Sequence, residues 1–218
     1  MVANTGGPVM CLDAGSRISY PGSGTTWTDL SGNGNTGTLV NGPTYSSANS
    51  GSLLFDGSND YAQIPVNSNL QFSSNDFAIS IILNFSSLSG YKTIIGNYYG
   101  GSGAETWVLQ SITNTGRMAF YINGGNASLT SSDVFLTNEF SFLTCSRASG
   151  VMTMYKNQTA IASGTVGTMS SSASNIFLSS VSAHYFNGLI SSVSIYNRAL
   201  SAAEVSQNFY LLRGRYGV

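Results

Sequence analysis

The chain has 218 residues, and only 8% of them are charged, against roughly 25% in an average soluble domain. Its formal net charge of −1, without a basic cluster, excludes the electrostatic footprint of a DNA- or RNA-binding protein. The 42% of hydrophobic residues excludes intrinsic disorder, while the apolar runs are too short to span a membrane. The length suits one all-β domain over residues 1–218.

The polar residues of this chain are mainly Ser, Thr, Asn and Gly rather than charged residues. Such a surface is typical of a robust extracellular or particle-bound protein, or of one that partners partly cover. The alternative is that the composition simply follows a β-rich structure, in which Ser and Thr occupy solvent-facing strand positions.

The first residues differ from the rest because 1–10 contain glycines and lack a core pattern, which predicts an N-terminal arm that orders on a partner. Met1–Gly7 has neither the basic nor the apolar region of a secretion signal. A short strand is predicted at Val9–Asp13. The segment Tyr20–Ser52 is expected to be a long ordered loop anchored by Trp27 and Leu30.

Strand signals dominate the middle of the chain. Phe77–Phe85 alternates so that every odd-numbered residue lies on one apolar face. Phe140–Arg147 and Val151–Lys156 predict a hairpin joined by residues 148–150. Further strands are predicted at Ser52–Phe55, Tyr61–Ile64, Tyr91–Gly96, Glu105–Ile112, Gly116–Ile122 and Asn175–Ser180.

The last elements are a strand at Gly188–Tyr196 and the one helix that the sequence signals. Ser201 and Glu204 form a capping box that opens a short helix within 201–212, expected to pack on the edge of the fold. About a dozen antiparallel strands at this spacing, without βαβ units, predict an all-β sandwich of the jelly-roll type with one short C-terminal helix.

Two cysteines, Cys11 and Cys145, each lie in an apolar-alternating stretch. We interpret both as small, buried hydrophobic residues. The alternative is a disulfide bond between them.

Two stretches carry a family resemblance. Ser52–Pro65, which contains Phe-Asp-Gly followed by Asp-Tyr, and Phe186–Val205 resemble the paired motifs of laminin-G-like domains with a concanavalin A-like fold. The resemblance covers about residues 50–210 and implies a concanavalin A-like jelly roll. The chain departs from the family pattern at Ser191 and Ser192, where acidic residues are common. This departure weakens any calcium site implied by the resemblance.

The two ends carry a second resemblance. Leu12–Gly34 and Gln207–Gly217 are similar to structural proteins of marine tailed bacteriophages. This resemblance implies a virion protein, assembled in the host cytoplasm and exposed on the particle as a capsid decoration, fibre or tail component. Its expected partners are coat or tail proteins and copies of itself. Arg213 and Arg215 are candidates for pairing with acidic coat residues. The alternative is that both arginines are solvated surface charges near the end of the chain.

The pattern of ionisable residues argues against an enzyme and does not predict a metal site. Glycosidases need two nearby carboxylates, and the glutamates are isolated from one another. The sequence has a single histidine and lacks the Gly-x-Ser-x-Gly nucleophile elbow with which that histidine would form a catalytic triad. No cofactor is expected. Calcium is kept as an alternative at Asp56, Asp60 and Asp76, of which the first two are expected to form Asx turns.

Sugar binding is predicted at two loops, because exposed aromatic rings stack on pyranoses while amides bind hydroxyls. One loop offers Asn97, Tyr98 and Tyr99, and the other offers His184 and Tyr185. The alternative is that these side chains cap the core or contact a neighbouring subunit. The leading hypothesis is a non-enzymatic virion structural protein held by protein contacts, for which polysaccharide binding is an additional candidate role. The alternative hypothesis is a secreted or surface glycan-binding adhesion module.

Overall fold

The computed structural model describes residues 6–97, 106–125, 127–170, 174–179 and 184–218. Within them the chain forms sixteen strands and one α-helix. The strands are β1 (Met10–Asp13), β2 (Thr26–Trp27), β3 (Gly37–Val40), β4 (Thr44–Ser46), β5 (Ser52–Asp56), β6 (Tyr61–Ile64), β7 (Phe77–Phe85), β8 (Lys92–Asn97), β9 (Trp107–Ser111), β10 (Met118–Ile122), β11 (Ala127–Thr130), β12 (Phe140–Ala148), β13 (Val151–Lys156), β14 (Thr159–Thr165), β15 (Ile176–Leu178) and β16 (Asn187–Tyr196). The helix α1 spans Ala202–Leu212.

The strands build two antiparallel sheets that pack face to face. The first, called the helix-side sheet, has the order β14-β13-β12-β7-β16-β5-β4, with β1 also paired to β16. The second, called the far sheet, has the order β11-β10-β9-β8-β15-β6-β3-β2. Half of the neighbouring pairs, among them β12-β7, β7-β16 and β8-β15, join strands that are not consecutive in the chain. This is the connectivity of a jelly-roll sandwich and confirms the predicted all-β class.

The core lies between the sheets and follows from the alternation seen in the sequence. The five odd-numbered residues of β7 are completely buried and belong to one continuous hydrophobic cluster with the inner residues of the far sheet. Three strands begin and end where the sequence predicted: β6, β7 and β13. The outward residues Ala78 and Ile82 of β7 are also buried, which alternation alone does not explain.

The helix explains that extra burial, because it covers the outer surface of the helix-side sheet. Ser201 caps α1, and the reciprocal bonds with Glu204 complete the predicted capping box. Phe209 packs edge-on against Phe142 of β12, with ring centroids 5.2 Å apart. The strands beneath α1 are central ones, so the prediction that the helix packs on the sandwich edge is wrong. No helix in the described residues is long and apolar enough to cross a membrane.

The segment between Tyr20 and Ser52 is more regular than predicted, since it contains β2, β3 and β4. Trp27 is fully buried, as expected of an anchor, but the Leu30 side chain is 40% exposed and is not part of the buried core. β2 and β4 have only two and three residues, too short for an alternation pattern to show, and β3 has four, the first of which is a glycine. The sequence also missed β11 and β14.

The two cysteines are both free thiols, so the disulfide alternative is excluded. Cys11 pairs with Ser194 on the outer surface of the helix-side sheet, whereas Cys145 lies in the inner core. Three inter-strand spacings of ~4.8 Å separate their strands, so their Cα atoms are far beyond the ~7 Å limit for a disulfide.

The N-terminal arm was predicted over residues 1–10, but the last two of these residues belong to the fold. Met10 is fully buried in β1, and the Val9 N–H donates to the Ile195 carbonyl at 2.7 Å. The Val9 carbonyl accepts side-chain hydrogen bonds from Ser31, Asn33 and Asn35. Residues 1–5 lie outside the described residues.

Candidate functional site

The first predicted sugar-binding loop follows the end of β8. Asn97, the last residue of β8, is only 4% exposed, and the Thr106 hydroxyl donates a hydrogen bond to its side-chain oxygen. Its side-chain oxygen is therefore engaged inside the protein, and the role of Asn97 as a ligand-binding residue stays a prediction. Tyr98 and Tyr99 lie outside the described residues.

The second predicted loop returns to the opposite end of the same strand. The Thr93 N–H, near the start of β8, donates to the His184 carbonyl at 2.7 Å. The six residues of β8 extend about 17 Å at roughly 3.3 Å per residue. His184 and Asn97 therefore belong to opposite ends of the far sheet and do not form one site.

His184 forms an aromatic pair that the sequence did not predict. Its ring lies 5.4 Å from the ring of Tyr91, which is 38% exposed, and Tyr185 beside it is half-buried. Burial lowers the pKa of the imidazole, and the positive charge of Lys92 lowers it further. At neutral pH His184 is therefore uncharged, and it offers one donor and one acceptor beside an exposed ring.

The outer surface of the far sheet carries a second set of aromatic side chains. Phe177 of β15 pairs with Gln63 of β6, which pairs with Thr38 of β3, so all three point to the same side. Tyr61 lies diagonally from Phe177, with ring centroids 6.1 Å apart and planes tilted by 58°. Tyr61, Gln63 and Phe177 are half-exposed and Thr38 is exposed. We call these four residues the aromatic face.

Alternation within the predicted strands carried a signal for this surface. Tyr61 and Gln63 occupy the odd positions of the predicted strand Tyr61–Ile64, opposite the buried Ala62 and Ile64. Phe177 is likewise the outward residue between two buried neighbours in β15. What the sequence could not show was that β6 and β15, more than 100 residues apart, are neighbours in the sheet.

The carboxylates described by the structure are engaged in structural contacts or exposed at the surface. Glu204 bonds Arg198 at 2.8 Å besides capping α1. Asp133 and Glu139 are exposed and lie 3.8 and 4.0 Å from the Lys156 ammonium.

The three aspartates considered for calcium each accept a backbone hydrogen bond, but only Asp56 forms a turn. Asp56 accepts the Ser58 N–H at 2.8 Å, which confirms the predicted Asx turn, and that bond lowers its pKa. Asp60 instead accepts the N–H of Asp56, four residues earlier in the chain, so the Asx turn predicted at Asp60 is wrong, and burial raises its pKa. Asp76 accepts the Ser149 N–H at 2.7 Å. Among the residues that the structure describes, no three metal-ligating side chains of the His, Cys, Asp or Glu type come together.

Comparison with protein families identifies the fold described above. Residues 56–206 match the laminin-G type model of the concanavalin A-like lectin/glucanase superfamily, which is more than half of the chain. The chain belongs to this superfamily. A sequence search among functionally curated proteins found no match.

Solved structures with the same architecture come from toxins and a sialidase. The binding domain of Paraclostridial Mosquitocidal Protein 1 superposes with a TM-score of 0.73 at 18% identity, over 93% of this chain and 52% of that chain. A mutant Trypanosoma rangeli sialidase with trans-sialidase activity gives 0.72 at 18% identity, over 97% and 34%. The binding domain of botulinum neurotoxin serotype D gives 0.70 at 15% identity, over 94% and 51%. The chain thus spans about a third to a half of these proteins, and the likeness concerns the fold.

Proposed function

We propose that this chain is a non-enzymatic glycan-binding module whose contact surface is the aromatic face. The observation that carries the proposal is the half-exposed pair of Tyr61 and Phe177, with Gln63 and Thr38 in register beside it. Aromatic rings present a flat apolar surface to the C–H face of a pyranose, and the neighbouring amide and hydroxyl bind its hydroxyl groups. Membership of a lectin/glucanase superfamily supports the same reading.

The far sheet is suited to a chain of sugars rather than to a single ring. From Thr26 through Thr38 and Gln63 to Phe177, paired residues form a continuous cross-strand row on one surface. Three inter-strand spacings of ~4.8 Å give this row a length of about 14 Å. The helix-side sheet has no comparable surface, because α1 packs on its central strands.

The test is a glycan array probed with the folded protein, followed by affinity measurements on its best ligand. Phe177→Ala and Tyr61→Ala are each expected to raise the dissociation constant about tenfold, since each removes one stacking surface. Tyr210→Ala is the matched control, because Tyr210 is 56% exposed on α1, on the other sheet. The proposal fails if the wild type binds no glycan, or if Tyr210→Ala weakens binding equally.

The loops predicted from the sequence are tested by the same assay. Tyr98→Ala, Tyr99→Ala and Tyr185→Ala remain predicted to lower glycan affinity. His184→Ala also separates two locations for the ligand, because His184 packs on Tyr91 rather than on Tyr61. A loss in His184→Ala with an unchanged Phe177→Ala would move the contact surface to the Tyr91 end of β8.

Binding without turnover is a separate part of the proposal. It rests on the carboxylates, since Glu204 caps α1 and Asp133 and Glu139 share Lys156. Prolonged incubation of the protein with its array ligand is expected to release no new reducing ends. If new reducing ends are released, and substitution of one of these carboxylates abolishes that release, the protein is a hydrolase.

A second candidate role, as a virion structural protein, rests on the resemblance of the chain ends to tailed-phage proteins. Residues 12–34 and 207–217 carry that resemblance, and Arg215 bonds Asp13 between them at 3.0 Å. Arg215 is thus engaged within the chain rather than free for a coat protein. A position exposed on a particle is also consistent with the low fraction of charged residues, which is 8%. Quantitative mass spectrometry of purified particles tests the role: hundreds of copies indicate capsid decoration, a dozen or fewer indicate a tail or fibre, and absence rejects it.

A further inference from the structure

A polar cleft lies beyond the end of β6, where the loop before β7 meets the residue that follows β16. Its volume is about 360 Å³, within the ~300–1,000 Å³ range of small-molecule sites. The principal lining residues are Asn69, Gln71, Phe72, Asn75, Asp76 and Asn197. Four of the seven lining residues, which also include Ser68, carry side-chain amides.

Three of the amides have no hydrogen-bonding partner in the described part of the protein. These are the side chains of Gln71, Asn75 and Asn197, whereas the oxygen of Asn69 accepts from Asn35 at 3.2 Å. A side-chain amide offers two donors and an acceptor, and a sugar hydroxyl is both a donor and an acceptor. Asn75 and Asn197 are exposed and Gln71 is half-exposed, so the cleft presents three accessible amides whose donors and acceptors can bind sugar hydroxyls.

The loop that carries these amides is held in place from beneath. Arg147 is 3% exposed, and its guanidinium donates to the carbonyls of Ser74 and Asn75 at 2.7 and 2.9 Å. Asp76 accepts the Ser149 N–H at 2.7 Å. Phe72 stacks on Phe77 with centroids 4.1 Å apart and planes 6° from parallel. A site held in this way loses little conformational freedom when a ligand binds.

The charge of the lining residues favours a neutral ligand over an anionic one. Asp76 is the one ionisable side chain among the lining residues, and its second oxygen has no protein partner among the described residues. The guanidinium of Arg147 is occupied by the backbone carbonyls of Ser74, Asn75 and Val166. A carboxylated sugar would thus meet a like charge without a compensating cation.

We propose that this cleft is a second binding site, separate from the aromatic face, that takes a single neutral hexose unit through the amides of Gln71, Asn75 and Asn197. The aromatic face is built on β3, β6 and β15, whereas the cleft is built on the 65–76 loop and Asn197. The inference does not depend on the aromatic face.

The test is an NMR titration of ¹⁵N-labelled protein that follows the side-chain amide signals. D-mannose, D-galactose and D-glucose are each added to tens of millimolar, and N-acetylneuraminic acid serves as the anionic comparison. At least one hexose is expected to shift the signals of Gln71, Asn75 and Asn197 saturably, while the acid shifts them less. Asn197→Ala and Gln71→Ala are each expected to raise the dissociation constant about fivefold, the effect of one lost hydrogen bond.

Two controls separate this site from the proposed function. Gln207→Ala removes an exposed amide on α1 and is expected to leave the titration unchanged. Phe177→Ala removes the aromatic face and is also expected to leave it unchanged, whatever its effect on the glycan array. The inference is overturned if no hexose shifts the three amides, if the acid shifts them more, or if the shifts persist in the Gln71→Ala, Asn197→Ala double variant.

Discussion

Arg215 and Asp13, 202 positions apart, form an ion pair in which both terminal nitrogens of the guanidinium donate to the carboxylate at 3.0 Å. Asp13 ends β1, and its side chain also accepts the Gly15 N–H at 2.8 Å. The hydrogen bond to Asp13 raises the pKa of Arg215, so its guanidinium stays charged. This contact joins the C-terminal segment to the first strand.

Removing that contact is expected to destabilise the fold. Because both side chains are only partly exposed, at 26% and 20%, Arg215→Ala should lower the free energy of unfolding by about 1–2 kcal/mol in urea denaturation. Arg215→Lys should recover only part of this, since an ammonium cannot make the two-point contact. Arg213→Ala is the control, because Arg213 is exposed and lies over the rings of Phe209 and Tyr210. Equal losses in Arg213→Ala and Arg215→Ala would contradict the assignment.

A glycine is required at position 188, where the start of β16 pairs with Phe85 at the end of β7. Its φ is 148°, and a Cβ there would overlap the Asn84 carbonyl and come within 2.9 Å of the Ser86 nitrogen. Backbone atoms cannot move aside as a flexible side chain can, so Gly188→Ala should cost at least ~2 kcal/mol of stability. Gly214→Ala, where nothing lies within 4 Å of the added carbon, should be within about 0.5 kcal/mol of wild type. Thermal unfolding of the two variants provides the comparison.

The two thiols should differ in reactivity. Burial raises the pKa of Cys145 to about 12, and the residue has no exposed surface. Cys11 is half-buried, and burial raises its pKa as well, so it should react with a thiol reagent slowly. Ellman's reagent should therefore titrate one thiol in the native protein and two after denaturation without a reductant. Zero thiols after denaturation would mean that a disulfide exists.

Acid sensitivity should arise in part at the start of α1. Hydrogen bonds from the Ser201 backbone and from Arg198 lower the pKa of Glu204 from 4.5 to about 2. A carboxyl whose pKa is lower in the folded state stabilises the fold above pH 4.5, and this contribution is lost as the pH falls from 4.5 towards 2. Glu204→Gln should therefore flatten the stability profile between these values, measured by denaturation at each pH. Gln207→Ala, which changes no ionisable group, should keep the wild-type slope.

The strands that the sequence located correctly all have apolar inner residues alternating with outward ones, over nine residues in β7 but only four in β6. Phe77–Phe85 and Val151–Lys156 are examples, because the period of two in a strand is a local property of the backbone. Thr26–Trp27 shows the opposite case, since two residues carry no period. Leu30 was mistaken for an anchor because hydrophobicity alone does not tell which side of a chain faces the core.

The candidate sites needed the fold. Asn97 and His184 were both assigned to sugar binding by residue type, yet β8 places them at its opposite ends. Tyr61 and Phe177 come together only because β15 inserts between β6 and β8. The cleft likewise joins a loop before β7 to Asn197, which is more than 120 residues later.

The sequence by itself determined the all-β class, the family, most strands and the capped helix, because alternation, turn glycines and a capping box act between near neighbours. Tertiary structure decided the order of the strands, the helix seated on central strands, the free cysteines and the grouping of polar and aromatic side chains on the surface. Those features depend on contacts between residues far apart in the chain, whose energies come from packing two whole sheets together, and no local pattern encodes which strands become neighbours.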